Sequence, residues 1–575
     1  MLSGLVVHCT RRFWLSDDTS TSGITTNQTE EKIMKVKFVG AINGVTGSCA
    51  WLKHEATGTQ LLVDCGMHQG PHEAEFRNYE KFPFFPADIQ YVLLTHAHID
   101  HCVLIPRLVK EGFKGWVYCT AATRDIAKLL LQDSANQGHT EYTQRHVDQI
   151  RWHAVDEGSF NWRKTLRLED GLSVSYMRSS HVLGAAMLSI RWQVDTDDGG
   201  PTKLRSICFS GDIGCQDKDN CYLPLLKDGF EPYPNADYLV VESTYGNTVR
   251  PVEYKMAHKR LERLSETIEH TVYTKGGKVL LPAFSFHRTQ EIIADLIWLT
   301  VDDSSDDEPM FTGPRPLRVA LHSGLATKIC EVYGKHLSSR VCNGKYQYFN
   351  GELPGRIGMS GDELSKIFAN LGKGHSVRLG SLELTPIRGG ADKPKPEIEN
   401  ADVIIASSGM CDHGPAKYYL DHLGKNPRNT LVTTGFMSAR SAGKQFLLDA
   451  QNPEISAPRA EVVEMSPYYS AHGDQVKLLD YIFNLAGYTD DLRDTVVFIN
   501  HGESGGKQEL INQVQQRATA SYTGDRRVSD ILIADNNWFN LDTGEYEDEL
   551  SPEEELRRLM HENGLSPEDV KRLLK

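Results

Sequence analysis

Three histidines and a carboxylate fall within six positions in Thr95-His96-Ala97-His98-Ile99-Asp100-His101. Residues two apart on an extended segment point the same way, so His96 and His98 can share one metal ion. The chain must turn after them. Asp100 and His101 then face a neighbouring position, which is the ligand supply a two-metal centre needs. Such a pair of sites could do metal-assisted chemistry.

The apolar run Tyr91-Val92-Leu93-Leu94 precedes the cluster and reads as a buried strand, placed over 91–95, whose C-terminal end delivers the ligands. The same arrangement recurs. Asp64 closes the strand around Leu61, His181 follows Leu172–Tyr176, Asp212 follows Ser206–Phe209, and Glu242 follows Tyr238–Val241. A carboxylate after a strand commonly caps the next helix, but five recurrences at glycine-marked turns argue for one shared site. It returns late in the chain, at His472 in Ser-Ala-His-Gly-Asp and at His501 in Asn-His-Gly-Glu.

Between these two sets the pattern changes to helices alternating with strands, at Lys278–Pro282, Leu317–Leu321, Val403–Ala406 and Leu431–Thr434, which implies a mainly parallel sheet of its own. The expected organisation is therefore an α/β protein with an inserted domain. Residues 34–246 and 461–540 form one discontinuous domain, 247–460 the insert, 1–33 a disordered leader rich in Ser, Thr, Asn and Glu, and 541–575 an acidic helical tail. Met34 is a candidate start. In the tail, Ser551-Pro552-Glu553-Glu554 and Ser566-Pro567-Glu568-Asp569 each combine a cap, a first-turn proline and early acids, predicting two helices that dock a protein partner.

Composition excludes several classes. No apolar run approaches the roughly 18 residues a membrane span needs, and the N-terminal stretch is a poor secretory signal. Eleven cysteines without a Cys-x-x-Cys pair argue against a disulfide framework and for a reducing, cytoplasmic setting. A net charge of −15 gives no overall nucleic-acid-binding surface, leaving room only for a local basic groove.

Asp64, the His-x-His-x-Asp-His set, His181 and Asp212 resemble, in order and context, the four motifs of the metallo-β-lactamase fold. Glu242, His472 and His501 resemble the three further motifs of its β-CASP branch, as do Pro282-Ala283-Phe284 and Arg288-Thr289-Gln290-Glu291. The resemblance spans about Met34 to Asp535 and implies an αββα sandwich with an inserted β-CASP α/β domain. His501 stands where DNA-directed members usually have valine, so the resemblance is to the RNA-directed ones. Asp412-His413 and Thr434-Gly435-Phe436-Met437 depart from the patterns of relatives in segments that line the nucleic-acid path there.

By the family pattern, His96, His98 and His181 would hold one zinc, Asp100, His101 and His501 a second, and Asp212 would bridge them. Asp64 would anchor a ligand or the attacking water, and His472, oriented by Glu242, would be the general acid. Asp100 is counted with Asp64, Glu242 and His472 in the catalytic set. The implied function is hydrolysis of phosphodiester bonds in single-stranded RNA by two zinc ions, in RNA processing or decay, with a homodimer left open. A thioesterase-like small-molecule hydrolase is the alternative, and a scaffold without catalysis a third. Small-ester hydrolysis needs neither an insert of this size nor the Glu242–His472 pair, and a scaffold would not need every ligand position filled. His287, His322, His413 and His422 lack matching ligand partners and read as surface or satisfied core residues, and solvated charge is the commoner role for Arg440 and Lys444.

Overall fold

The computed structural model describes residues 33–547, except 71, 139–140, 196–201, 216–224, 227–228, 231–235, 301–310, 312, 392–394, 453, 456–457, 484–493 and 521–525. The leader as far as residue 32 and the two helices expected in the tail lie outside these residues.

Two sheets lie face to face. The first has eight strands, built outward from Met34–Phe38, Ala50–His54 and Thr59–Val63, which pair antiparallel, to Ile89–Leu93, Trp116–Cys119 and Trp152–Ala154, which add in parallel. The second has seven, from the antiparallel Thr165–Glu169, Leu172–Arg178 and Ala186–Val194 through Lys203–Phe209 to Tyr238–Val241, Asp494–Ile499 and Arg527–Ile533. Alternation explains the packing: Val36, Phe38, Leu52 and Leu61 meet Val174, Leu188, Ile190, Ile207 and Phe498 in one core between the sheets. Helices cover the outer faces. The helix Gln475–Phe483 adds Leu478, Tyr481 and Ile482 to a core with Leu239, Val241 and Val497 on the far side of the second sheet. The result is the four-layer αββα sandwich.

A third sheet of seven strands is parallel except for Val377–Leu379, with Val403–Ala406 at its centre. That strand is buried at all four residues, as a strand covered on both faces must be, so its sequence is an unbroken apolar run instead of an alternation.

Three readings need correction. The strand before the histidines ends at Leu93, two residues early, because Thr95 is drawn out of the ladder by Asp64. Residues Glu461–Glu464 pair in parallel with Thr430–Thr433 in the third sheet, so this strand belongs to the insert and not to the returning sandwich. The tail does not begin at 541 either: Phe539–Asn540 and Glu545–Tyr546 form a hairpin on the first sheet, Leu541 is buried, and Asp542 accepts from the Met34 N–H at 2.7 Å and from Trp192 Nε1 at 3.1 Å.

Candidate metal centre

Strands of both sandwich sheets deliver their C-terminal ends to one mouth, the edge where layered α/β folds build sites. After Val63 the chain takes a left-handed turn at Asp64 (φ 61°) and passes directly against the backbone of Asp100 and His101. A Cβ at Gly66 would fall 1.6 Å from the Asp100 carbonyl, so only glycine allows this approach. The Cys65 N–H donates to the His101 carbonyl at 2.8 Å, which fixes the two motifs to each other.

Nine of the ten expected site residues, all but Asp64, converge into three groups, each with ligand atoms within 4.8 Å of one another: His96, His98, His181 and Asp212; Asp100, His101 and His501; and Asp212, Glu242 and His472. In the first, His96 Nε2 and His181 Nε2 lie 3.0 and 3.2 Å from His98 Nδ1, and Asp212 Oδ2 is 3.4 and 3.5 Å from those Nε2 atoms. Asp212 also faces the second group, with Oδ1 3.4 Å from His101 Nε2 and 3.8 Å from His501 Nδ1. Asp100 Oδ2 is 3.7 Å from His501 Nε2 and 4.0 Å from His101 Nε2.

Charge states follow from burial. Burial, with the neighbouring His101, drives His96 down to about 3, and burial takes His98 down to about 4. His181 is likewise pushed far below the usual imidazole range. All three are neutral at pH 7, the form that ligates a metal. Burial opposes charge on Asp212 and Asp100 too, but the surrounding imidazoles outweigh it and hold both carboxyls ionised.

The residues fit a cation. Three neutral imidazole nitrogens face one another at contact distance beside a buried carboxylate, and His101 Nε2, Asp212 Oδ1 and His501 Nε2 are buried with no hydrogen-bond partner. Such atoms would carry a desolvation cost of about 1–3 kcal/mol each unless something binds them.

Other contacts set the ring orientations. Asp64 Oδ2 accepts from His101 Nδ1 at 2.8 Å, turning Nε2 into the site, while Asp64 Oδ1 accepts the Thr95 N–H at 2.8 Å. The Ala471 carbonyl lies 3.1 Å from His181 Nδ1, Thr95 Oγ1 lies 3.0 Å from His96 Nδ1, and Thr244 Oγ1 lies 3.3 Å from His501 Nδ1. Sequence reasoning missed Thr95, Thr244 and Ala471. A hydroxyl beside a ligand was a readable signal for the threonines, whereas a main-chain carbonyl has none.

Of the three groups, His472 belongs only to the one with Glu242 and Asp212. Its Nδ1 is 3.2 Å from Glu242 Oε2, its Nε2 is 3.9 Å from Asp212 Oδ2, and its side chain is 22% exposed. Burial disfavours its charge, but the Glu242 and Asp212 carboxylates raise it to about 9. Glu242 is itself fixed by the Ile213 N–H at 2.6 Å. Of the remaining histidines, His322 is buried and satisfied by Tyr419 and Gly389, and His422 is exposed, as expected. Asp412 accepts from the Ala442 N–H at 2.7 Å and so adds to the Ser441 cap at the start of the helix Ala442–Gln451.

The metallo-beta-lactamase superfamily matches residues 43–171, and the Beta-Casp domain matches residues 289–446. The first of these families implies a divalent metal, and the clusters above are its candidate ligands. The chain thus carries a stretch that matches the metallo-β-lactamase superfamily, followed by one that matches the Beta-Casp domain. It is 26% identical over 472 residues to transcription termination factor FttA of Methanocaldococcus jannaschii, covering 79% of this chain and 65% of that protein. It is 29% identical to ribonuclease TTHA0252 of Thermus thermophilus, over 78% of this chain and 90% of the other. An RNase J-like protein of Methanocaldococcus jannaschii is 27% identical over 78% and 89%. Among solved structures, the metallo-beta-lactamase fold protein YhfI from Bacillus subtilis overlaps 37% of this chain and 73% of its own at 17% identity, with a TM-score of 0.22, too low to bear on the fold.

Proposed function

We propose that this protein is a zinc-dependent ribonuclease that hydrolyses phosphodiester bonds of single-stranded RNA. The observation that carries the reading is the His472–Glu242 pair standing beside two ligand clusters that share Asp212. Ester hydrolysis with a good leaving group needs no such acid, whereas a sugar alkoxide must be protonated as it departs. The relatives named ribonuclease support the same direction.

His96, His98 and His181 would hold one zinc and Asp100, His101 and His501 another, with Asp212 between them; donors of nitrogen and oxygen alone suit zinc. When bound, zinc supplies Lewis-acid activation of water and of the phosphoryl group. The chain does the rest. Asp64 keeps His101 in the tautomer that offers Nε2 to the site, and the Ala471 carbonyl does this for His181. Glu242 holds the His472 ring by Nδ1, leaving Nε2 to give its proton to the leaving oxygen. Substrate grip falls to the insert: the Phe284 ring lies over Gly435, next to Phe436, which is 68% exposed, and Arg440 follows on the surface. Exposed rings with nearby cations hold unpaired bases and backbone, and a duplex offers them no free base face.

We also assign residues 34–246 with the segment after the strand Glu461–Glu464 to the hydrolytic domain, the intervening residues to the insert, and the whole to the reducing cytoplasm, since the nine described cysteines are free thiols. The test is to incubate the protein with end-labelled single-stranded RNA, matching DNA and a chromogenic thioester, with and without chelator. Chelator-sensitive cleavage of RNA alone is expected; ester turnover without RNA cleavage would replace this reading by the small-molecule one.

A further inference from the structure

The segment from Phe284 to His287 runs from the insert toward the metal ligands. Phe286 sets its ring edge against His98, with centroids 5.1 Å apart. The next residue, His287, is 2% exposed and has φ 68°. A left-handed backbone costs a residue with a Cβ roughly 1–2 kcal/mol, and glycine would avoid that cost. Strain of this kind persists where the side chain is needed.

The side chain is bonded on its Nδ1 edge, while its buried Nε2 makes no hydrogen bond. His287 Nδ1 is 2.7 Å from the hydroxyl of Tyr333, a buried residue on the helix Gly324–His336, and His287 Nε2 is 3.4 Å from Glu291 Oε1, one helical turn further on. The Leu183 main chain lies beside the same Tyr333 hydroxyl, and both residues are buried in one core. Leu183 lies two residues after the ligand His181, and beside it the Gly184 carbonyl accepts from the Thr120 and Thr123 hydroxyls at 2.8 and 2.9 Å. The sandwich thus holds the His181 loop from one side and the insert holds it from the other.

We propose that His287 and Tyr333 are positioning residues, which hold the His181 loop in its ligating conformation from across the seam and make metal retention depend on the docked insert. This rests on the ligand reading of His96, His98 and His181 given above. Neither residue touches a ligand atom, so their effect passes through the loop.

The test is the rate at which zinc-loaded full-length protein releases zinc to a chromogenic chelator. Tyr333→Phe removes one hydroxyl and should release zinc about tenfold faster, the lower end of what loss of a contact outside the ligand set does to affinity. His287→Gly, which also relieves the backbone, should match it. His287→Asn, which tolerates the left-handed turn and keeps an acceptor, should recover part of the loss. Tyr419→Phe is the control, because it breaks a 2.7 Å bond to His322 in the same insert and should leave release unchanged even where melting falls equally. Unaltered release in Tyr333→Phe and His287→Gly, or equal acceleration in Tyr419→Phe, would overturn the proposal. A wild-type protein that retains no zinc would remove the ligand reading, and this inference with it.

Discussion

The division of labour among the histidines is the finest test of the site. His472→Ala should keep its metal and its RNA affinity while losing about 10²- to 10⁴-fold in turnover, the usual worth of a positioned acid. His501→Ala should lose metal as well as rate. On a nitrophenyl phosphodiester, whose leaving group needs little protonation, the His472→Ala defect should shrink and the His501→Ala defect should stay. Steady-state rates on both substrates with metal analysis check this, and equal metal loss in the two variants would rule out the acid role. Asp64, His96, His181, Asp212, Glu242 and His501 were legible as candidates because each is a polar residue just past an apolar run, where a strand must stop and a side chain can point into the mouth. The orienting partner of His181 was not, because the Ala471 carbonyl comes with any residue at that position.

Elements hold these residues through a few buried contacts. Lys507, in the helix Ser504–Ala520, donates to the Ile42 carbonyl and lies 3.5 Å from that of Ala41, which also accepts the His501 N–H at 3.1 Å. Burial lowers Lys507 to about 8. A lysine depressed in the folded state contributes stability above its unfolded value of 10.5 that is lost as pH falls through 8. The melting temperature of Lys507→Met relative to wild type should therefore be more favourable at pH 7 than at pH 9.5, and thermal melts at the two pH values decide it. At the root of the insert, Asp295 takes a forked pair of bonds from Arg260, 2.8 and 2.9 Å, and one from the Tyr469 hydroxyl at 2.6 Å, all buried. Asp295→Ala removes the carboxylate from this buried ion pair and should cost about 3–5 kcal/mol in a denaturant titration. Asp295 reads from sequence only as one more residue of a helix, since a partner 35 positions away leaves no periodic trace. The helix Gly361–Gly372 was missed despite its Ser360–Glu363 capping box, and the strand Glu461–Glu464 was misassigned because an apolar run does not say which sheet it joins.

At the scale of the whole molecule, the proposed function divides the work: the sandwich would supply the ligands and the insert the grip. Phe436→Ala should weaken single-stranded RNA binding by about 1–3 kcal/mol, the worth of one stacked base, and leave metal content unchanged; fluorescence anisotropy with a short labelled RNA reads this directly. The two-part architecture was visible as a change of grammar between Glu242 and His472. The seam was not, since contacts such as Phe286 on His98 join residues with no local relation in the chain. The central claim is that Asp212 joins two ligand sets that together make an RNA-cutting metal centre. It is tested most directly by counting metal per chain in wild type, His501→Ala and Asp212→Ala, with cleavage of end-labelled single-stranded RNA followed on the same preparations. Two zincs in wild type, a reduced count in both variants and loss of cleavage in step with it are expected. A wild-type protein with no bound metal, or one that cuts RNA undiminished after complete chelation, would contradict the account.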